Sequence, residues 1–204
     1  MPQFTNIFSA HGGRMTEALL VVDVQNEFSA RGLRAVPNHV DAMTAINARI
    51  EVARKERRPI AWIQHYNRPT ESRAFLPGSW GAELSPGMGP KDGFGPERLF
   101  KKVVFGAFTG TELEQWLASN GVTQVLIVGF FAHMCVSTSA REALVRGLEV
   151  YVDAAAVGAR DLDDDLLGHQ SASEVCRSAL LQLADMGASI ENRDVLAGFA
   201  MEAD

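Results

Sequence analysis

"VLIVGFFAHMCVSTSAREAL", residues 125–144, is the stretch on which the fold turns. It opens as a continuous apolar run, the pattern of a parallel strand covered on both faces. After a short turn it reaches Cys135, and the spacing becomes helical. Val136, Ala140, Ala143 and Leu144 fall on one face, Ser137, Arg141, Glu142 and Arg146 on the other, and Gly147 ends the run. A buried strand that hands over to an amphipathic helix is one repeat of a parallel sheet. It also leaves a thiol at the junction.

The same alternation extends in both directions. Upstream, "ALLVVDVQ" (18–25) is apolar until Asp23 and reads as a first strand. A helix follows over 39–57, with Asn38 as its N-cap and Val40, Met43, Ile46 and Ile50 as its stripe; its basic end is closed by Pro59. "PIAWIQHY" (59–66) is a second strand, and 98–104 a third. The spacing then predicts a helix opened by a capping box from Thr111 to Glu114, with Leu113, Trp116 and Leu117 inward. Downstream come a strand in "EVYVDAA", a helix over 171–186 that buries Cys176, Ala179, Leu180 and Leu183, and a last strand, "ASIEN". Residues 67–97 keep no period and are rich in Gly and Pro; a loop of that length is more often functional than decorative. The expected fold is α/β: a three-layer α/β/α arrangement with a six-stranded, mainly parallel, Rossmann-like sheet and helices on both faces. Residues 15–204 form one domain in this reading, preceded by an arm at 1–14.

Composition limits what such a domain can do. The chain has 204 residues, 47% hydrophobic and 22% charged, enough for a full core. A net charge of −6 gives no basic footprint for nucleic acid or an anionic membrane, so a small molecule is the expected partner. No apolar run approaches the ~18–20 residues that span a bilayer, and the first residues lack the pattern of a signal peptide. The two cysteines form no framework of bridges, which suits a reducing cytoplasm.

In a parallel sheet, ligands bind beyond the carboxyl ends of the strands. Three ionisable residues fall there: Asp23 on the first strand, Lys102 on the third and Cys135 beyond the fourth. Taken singly, each has a plainer reading. Asp23 fits a loop-capping acid, Lys102 a solvated lysine beside Lys101, and Cys135 a small hydrophobe. Taken together they make a nucleophile, a proton carrier and a charge that holds them. The first turn of a helix and a nearby lysine would both lower the thiol pKa.

These residues stand in motifs that resemble the isochorismatase-like cysteine hydrolase superfamily, which includes nicotinamidases and N-carbamoylsarcosine and ureidoacrylate amidohydrolases. "LLVVDVQNEF" is similar to its D-x-Q-x-x-F strand, and "KKVVFGAFTGTEL" to a lysine followed six residues on by Phe and then T-x-L. "GFFAHMCVSTSAREAL" is similar to G-x-x-T-x-x-C-V-x-x-T-A-x-D-A. The resemblance implies a catalytic triad of Asp23, Lys102 and Cys135, with Asp23 as base and then acid. It also implies a non-proline cis bond at Phe130–Phe131 and an oxyanion hole from the amides of Phe131 and Cys135. Phe28, His65, Trp80 and Phe131 are the candidate pocket walls, and His133 is a lesser candidate partner for the thiol.

Some residues depart from the pattern. Ala132 stands where Thr is usual, and "AHM" is similar to true isochorismatases, which carry Gly at the position of Cys135. Of the nicotinamidase metal set only His65 is present, so no metal and no cofactor are expected. The reading is a cytoplasmic hydrolase that cleaves a small amide or carbamoyl C–N bond through a thioester. The alternatives are isochorismatase-type vinyl ether hydrolysis and a non-catalytic, redox-sensing member of the fold. Relatives of this kind imply a homo-oligomer, a dimer or tetramer.

Overall fold

The computed structural model describes residues 16–200. The expected 1–14 arm lies outside them. The strands are β1 (Glu17–Val22), β2 (Ile60–His65), β3 (Glu97–Lys102), β4 (Gln124–Phe130), β5 (Glu149–Gly158), β6 (Leu162–Asp164), β7 (Gly168–Gln170) and β8 (Ser189–Glu191). The helices are α1 (His39–Lys55), α2 (Leu113–Ser119), α3 (Ser137–Val145) and α4 (Ala172–Asp185). Six strands form one sheet in the order β3-β2-β1-β4-β5-β8, every pairing parallel. The expected architecture is therefore the one observed. The sequence reading did not anticipate the small antiparallel β6–β7 hairpin.

Period-two alternation in β1 sorts its side chains between two cores. Leu19 and Val21 pack with Ala42, Ile46 and Ile50 of α1, while Leu20 and Val22 pack with Leu113 and Leu117 of α2, Ala140 and Ala143 of α3, and Leu180 of α4. A strand apolar at every position is the only kind that can serve both faces. The chain runs β1 to β3 toward one edge and β4 to β8 toward the other, so the order reverses between β1 and β4. A cleft opens at that reversal, beyond the carboxyl ends of the strands.

The β1–β4 junction depends on Gly129. It sits opposite Val22 with φ 119°, and a Cβ there would lie 1.9 Å from the Val22 carbonyl oxygen. No side chain fits at that approach.

Two helix starts differ from expectation. α2 begins at Leu113 with Glu112 as N-cap, and no capping box forms. Thr111 Oγ1 instead donates to the Ala107 carbonyl at 2.6 Å, and Glu114 pairs with Arg146 at 2.8 Å. Asn38 is the N-cap residue of α1, its carbonyl accepting from the Ala42 amide at 3.0 Å, but its side chain makes no cap bond and its amide donates to the Val157 carbonyl at 3.2 Å. A capping box does form at α4, between Ser171 and Glu174. Among the described residues no helix is long and apolar enough to cross a membrane.

Candidate active site

Asp23 follows the last residue of β1 and has φ 52°, a left-handed conformation that Asp tolerates better than most residues. Its amide donates to the Ile63 carbonyl of β2 at 3.0 Å, which directs the carboxylate into the cleft. Gln25, two residues on, acts as a splint. Its Nε2 donates to the His65 carbonyl at 3.0 Å and the Ala82 carbonyl at 2.7 Å, and its Oε1 accepts from the His65 amide at 2.9 Å. The ends of β1 and β2 and the 80–82 turn are thereby joined. Lys102 ends β3, two strands from β1, and its side chain crosses beneath His65 to the same point.

Cys135 lies in one π turn, Ala132–Val136, inserted before α3. The cis bond at Phe130–Phe131 begins that turn, and the Phe131 carbonyl accepts from the amides of Met134 and Val136, both at 3.1 Å. Ser139 fixes the turn from the helix side. Its hydroxyl donates to the Cys135 carbonyl at 2.6 Å and accepts from the Ala107 amide at 3.1 Å. Glu142 of α3 accepts from the Phe108 amide at 2.9 Å, so the chain after Lys102 is anchored to the helix that carries the cysteine. This anchoring gives the spacing from Lys102 to Phe108 its physical meaning.

The three expected side chains meet. Lys102 Nζ is 2.7 Å from Asp23 Oδ2 and 3.2 Å from Cys135 Sγ, and it also donates to the Val104 carbonyl at 3.2 Å. Asp23 is 0% exposed, Lys102 3% and Cys135 6%. Burial works against the Lys102 ammonium, but the Asp23 carboxylate and Cys135 outweigh it and leave its pKa raised. The thiol behaves differently from expectation. Burial, then the adjacent Asp23 carboxylate, push it well above its ordinary value, and Lys102 offsets only part of this. The helix-start argument for a lowered thiol fails here because the π turn precedes α3 and a carboxylate faces the sulfur.

The cluster opens into a cavity of about 500 Å³, a size that suits a small ligand. Asp23, Cys135, Phe28, His65 and Phe131 line it as expected. Phe28 packs on Phe131 and Phe75, with ring centroids 4.9 and 5.1 Å apart. Trp80 is a correction. Its indole is 44% exposed, outside the cavity, under the Arg31 guanidinium at 5.1 Å. That segment turns its backbone inward, toward Asn26, Gln25 and Gln64, and leaves the ring outside. Phe75, from the same loop, is the wall in its place.

His65 donates through Nε2 to Asn67 Oδ1 at 2.8 Å and presents Nδ1 to Lys102 Nζ at 3.4 Å, the tautomer this network requires. Burial and then Lys102 lower its pKa, so it lines the cavity as a neutral ring. Both nitrogens are engaged and one faces an ammonium, so the donor set does not fit a metal. Among the described residues no group of three His, Cys, Asp or Glu is arranged to hold one. His133 stacks on Phe131 at 5.2 Å, and burial, reinforced by Arg160, lowers its pKa to about 4; it makes no hydrogen bond to Cys135.

Two arginines in the cavity wall were not anticipated. Arg34 is on the loop after the Asn26–Phe28 turn, where its amide donates to the Glu27 carbonyl at 3.1 Å and its guanidinium to Ser72 Oγ at 3.4 Å. Gly32 allows that loop to fold back, since a Cβ there would meet the Glu27 carbonyl oxygen at 2.0 Å. Arg160 follows β5, and its Nε is buried without a partner. Among the described residues neither guanidinium forms an ion pair. The Asp23–Lys102 pair cancels itself, Glu71 of the wall lies beside Arg68, and the Glu27 carboxylate is within electrostatic reach of Arg34, so Arg160 carries the wall's unbalanced positive charge.

Comparison with known proteins agrees with this geometry. Residues 17–180 match the isochorismatase domain family model. The secreted isochorismatase effector Isc1 of Verticillium dahliae is 31% identical over 178 residues, 87% of this chain and 88% of that protein. An isochorismatase structure from Pseudomonas putida superposes with a TM-score of 0.78 at 25% identity, covering 91% of this chain and 95% of that one. N-carbamoylsarcosine amidase from Thermoplasma acidophilum gives 0.72 at 26% identity, covering 88% and 98%.

Proposed function

The chain belongs to the isochorismatase family of hydrolases, and from that membership we propose that it is a cysteine hydrolase cleaving a small amide or carbamoyl C–N bond through a thioester. The observation that carries the reading is the contact of Cys135 Sγ with the Lys102–Asp23 pair at the floor of a cavity. A sulfur held against a buried carboxylate has no use in cleaving a vinyl ether, where protonation alone suffices. It is what acyl transfer needs.

The steps follow from the charges. The resting thiol is neutral, so Asp23 takes its proton as sulfur attacks the carbonyl carbon. The oxyanion of the tetrahedral intermediate is met by the amides of Phe131 and Cys135, each such donor contributing about 3 kcal/mol. The C–N bond breaks as Asp23 returns the proton to the departing nitrogen, leaving a thioester. Water then loses a proton to Asp23 and attacks the thioester; the tetrahedral adduct expels the sulfur, which regains that proton. Lys102 remains an ammonium throughout and keeps Asp23 and the sulfur in register. Arg34 and Arg160 favour a substrate that carries a carboxylate, and Phe28, Phe75 and Phe131 enclose its apolar part.

The test is a hydrolysis screen of small amides, ureas and carbamoyl compounds, with and without a carboxylate, read by release of ammonia or amine. Cys135→Ala should lose about ten-thousandfold or more in kcat while keeping its circular dichroism spectrum. Full activity in that variant, or its retention on an isochorismate-type ether, would transfer the chemistry to Asp23 alone.

A further inference from the structure

The chain that leaves β3 presents three apolar side chains in a row to solvent. Val103 is 50% exposed, Val104 38% and Phe105 50%, and all three line the cavity that holds the thiol. They are fixed in place there. Lys102 Nζ donates to the Val104 carbonyl, and the Phe105 ring lies over His65 with centroids 6.4 Å apart and planes 27° from parallel. Apolar side chains kept in water at the rim of a cavity mark a ligand-binding surface. No step of the hydrolysis uses them.

The sheet places this rim relative to the reacting atoms. In the order β3-β2-β1-β4-β5 the rim follows β3, Asp23 follows β1, Cys135 follows β4 and Arg160 follows β5. Neighbouring strands lie about 5 Å apart. Arg160 is therefore one strand beyond the sulfur on one side, while the rim is two strands, about 10 Å, beyond the carboxylate on the other. The cavity has a cationic end and an apolar end, with Cys135 nearer the first and Asp23 nearer the second.

That order decides which half of a substrate goes where. The acyl carbon becomes bonded to Sγ, so the acyl part lies toward β5 and Arg160. The departing nitrogen takes its proton from Asp23, so its substituent lies toward β3 and the rim. Building on the amide-hydrolysis reading, we propose that the substrate is an N-substituted monoamide of a short dicarboxylic acid. Its free carboxylate meets Arg160, and the apolar substituent of its nitrogen lies on Val103, Val104 and Phe105. When the C–N bond breaks, Asp23 gives its proton to nitrogen and a primary amine leaves. The acid half stays on sulfur as a thioester, and one water then releases it as the dicarboxylate. The three rim residues touch no reacting atom and act on specificity alone. A primary amide, which would release ammonia, leaves the rim bare.

The test compares succinamate, N-benzylsuccinamate and its isomer N-phenylacetyl-β-alanine, in which the amide is reversed. The native chain should release benzylamine from N-benzylsuccinamate with a kcat/KM about tenfold or more above that for succinamate, and should turn over the isomer more slowly still. Phe105→Ser should lower kcat/KM for the benzyl compound about tenfold more than for succinamate, and Val103→Ser should move the same ratio in the same direction, with circular dichroism as the control for folding. Calorimetric titration of Cys135→Ala, which needs no turnover, should show N-benzylsuccinamate bound about tenfold more tightly than succinamate. Equal turnover of the two monoamides, equal binding to Cys135→Ala, or preference for the isomer overturns this assignment and leaves amide hydrolysis standing. A kcat/KM that ignores the benzyl group and rises with protein concentration overturns it in favour of a second copy of the chain covering the rim. Release from none of the three overturns it together with amide hydrolysis.

Discussion

Lys102 Nζ lies 2.7 Å from Asp23 Oδ2, with the two side chains 0% and 1% exposed. A pair so enclosed contributes little net stability, because desolvation offsets most of the attraction. Its consequence is local. Burial and the carboxylate keep the Cys135 thiol protonated at rest, and the ammonium holds the carboxylate in place beside the sulfur.

Removing one partner should therefore be costly. Lys102→Met leaves Asp23 as an uncompensated buried charge and should lower the unfolding free energy by about 3–5 kcal/mol, measured in urea. Adding Asp23→Leu should recover much of that loss. An additive double variant would mean that the two side chains do not stabilise one another.

Asp23→Asn should stop the first chemical step, since the amide can neither take the thiol proton nor return it to nitrogen. Mass spectrometry after mixing with a substrate of the native protein should find no thioester adduct. A normal adduct would remove Asp23 from acylation. In the native chain the raised thiol pKa predicts slow alkylation by iodoacetamide at neutral pH, rising only well above the ordinary thiol value of about 8.5.

Arg160→Ala should act on recognition and leave the chemistry intact. A charge-assisted hydrogen bond to a substrate carboxylate contributes about 1.5–3 kcal/mol, so KM for carboxylate-bearing substrates should rise about 10- to 150-fold with kcat little changed. Neutral amides should be turned over as before. Equal losses on both classes would mean that Arg160 positions the catalytic turn.

His133 sets an acid limb of stability. Its pKa is lowered from 6.5 to about 4, because burial and Arg160 disfavour the charged ring. The folded state therefore prefers the neutral form. The contribution is whole above pH 6.5 and is lost as the pH falls toward 4. His133→Gln should flatten the fall in urea stability across that window; an unchanged slope would assign it to other groups.

The β-α alternation and the three central residues were legible because they sit on regular elements. A strand that must bury both faces is apolar at every position, so Asp23 and Lys102 stand out as charges at strand ends. Arg34 and Arg160 were not legible. They come from loops, where no period says which way a side chain points, and a lone arginine there reads as solvated. Trp80 misled for the same reason, since a large aromatic in a Gly-rich loop gives no sign of which side faces inward. The raised thiol was hidden because burial and a carboxylate from β1 determine it, and both are properties of distant sequence. The capping box read at Thr111 is a local pattern that Ala107 and Arg146 override.

The splint formed by Gln25 has a consequence for how this site tolerates change. It grips the 80–82 turn through a main-chain oxygen and leaves the residues around it, Trp80 among them, without a side-chain duty toward the cavity. Homologues are accordingly expected to vary freely in residue type at position 80 while conserving the length of the segment and Gly81, because an insertion would carry the oxygen out of reach and a Cβ at Gly81 would lie 1.5 Å from Glu27 Oε2.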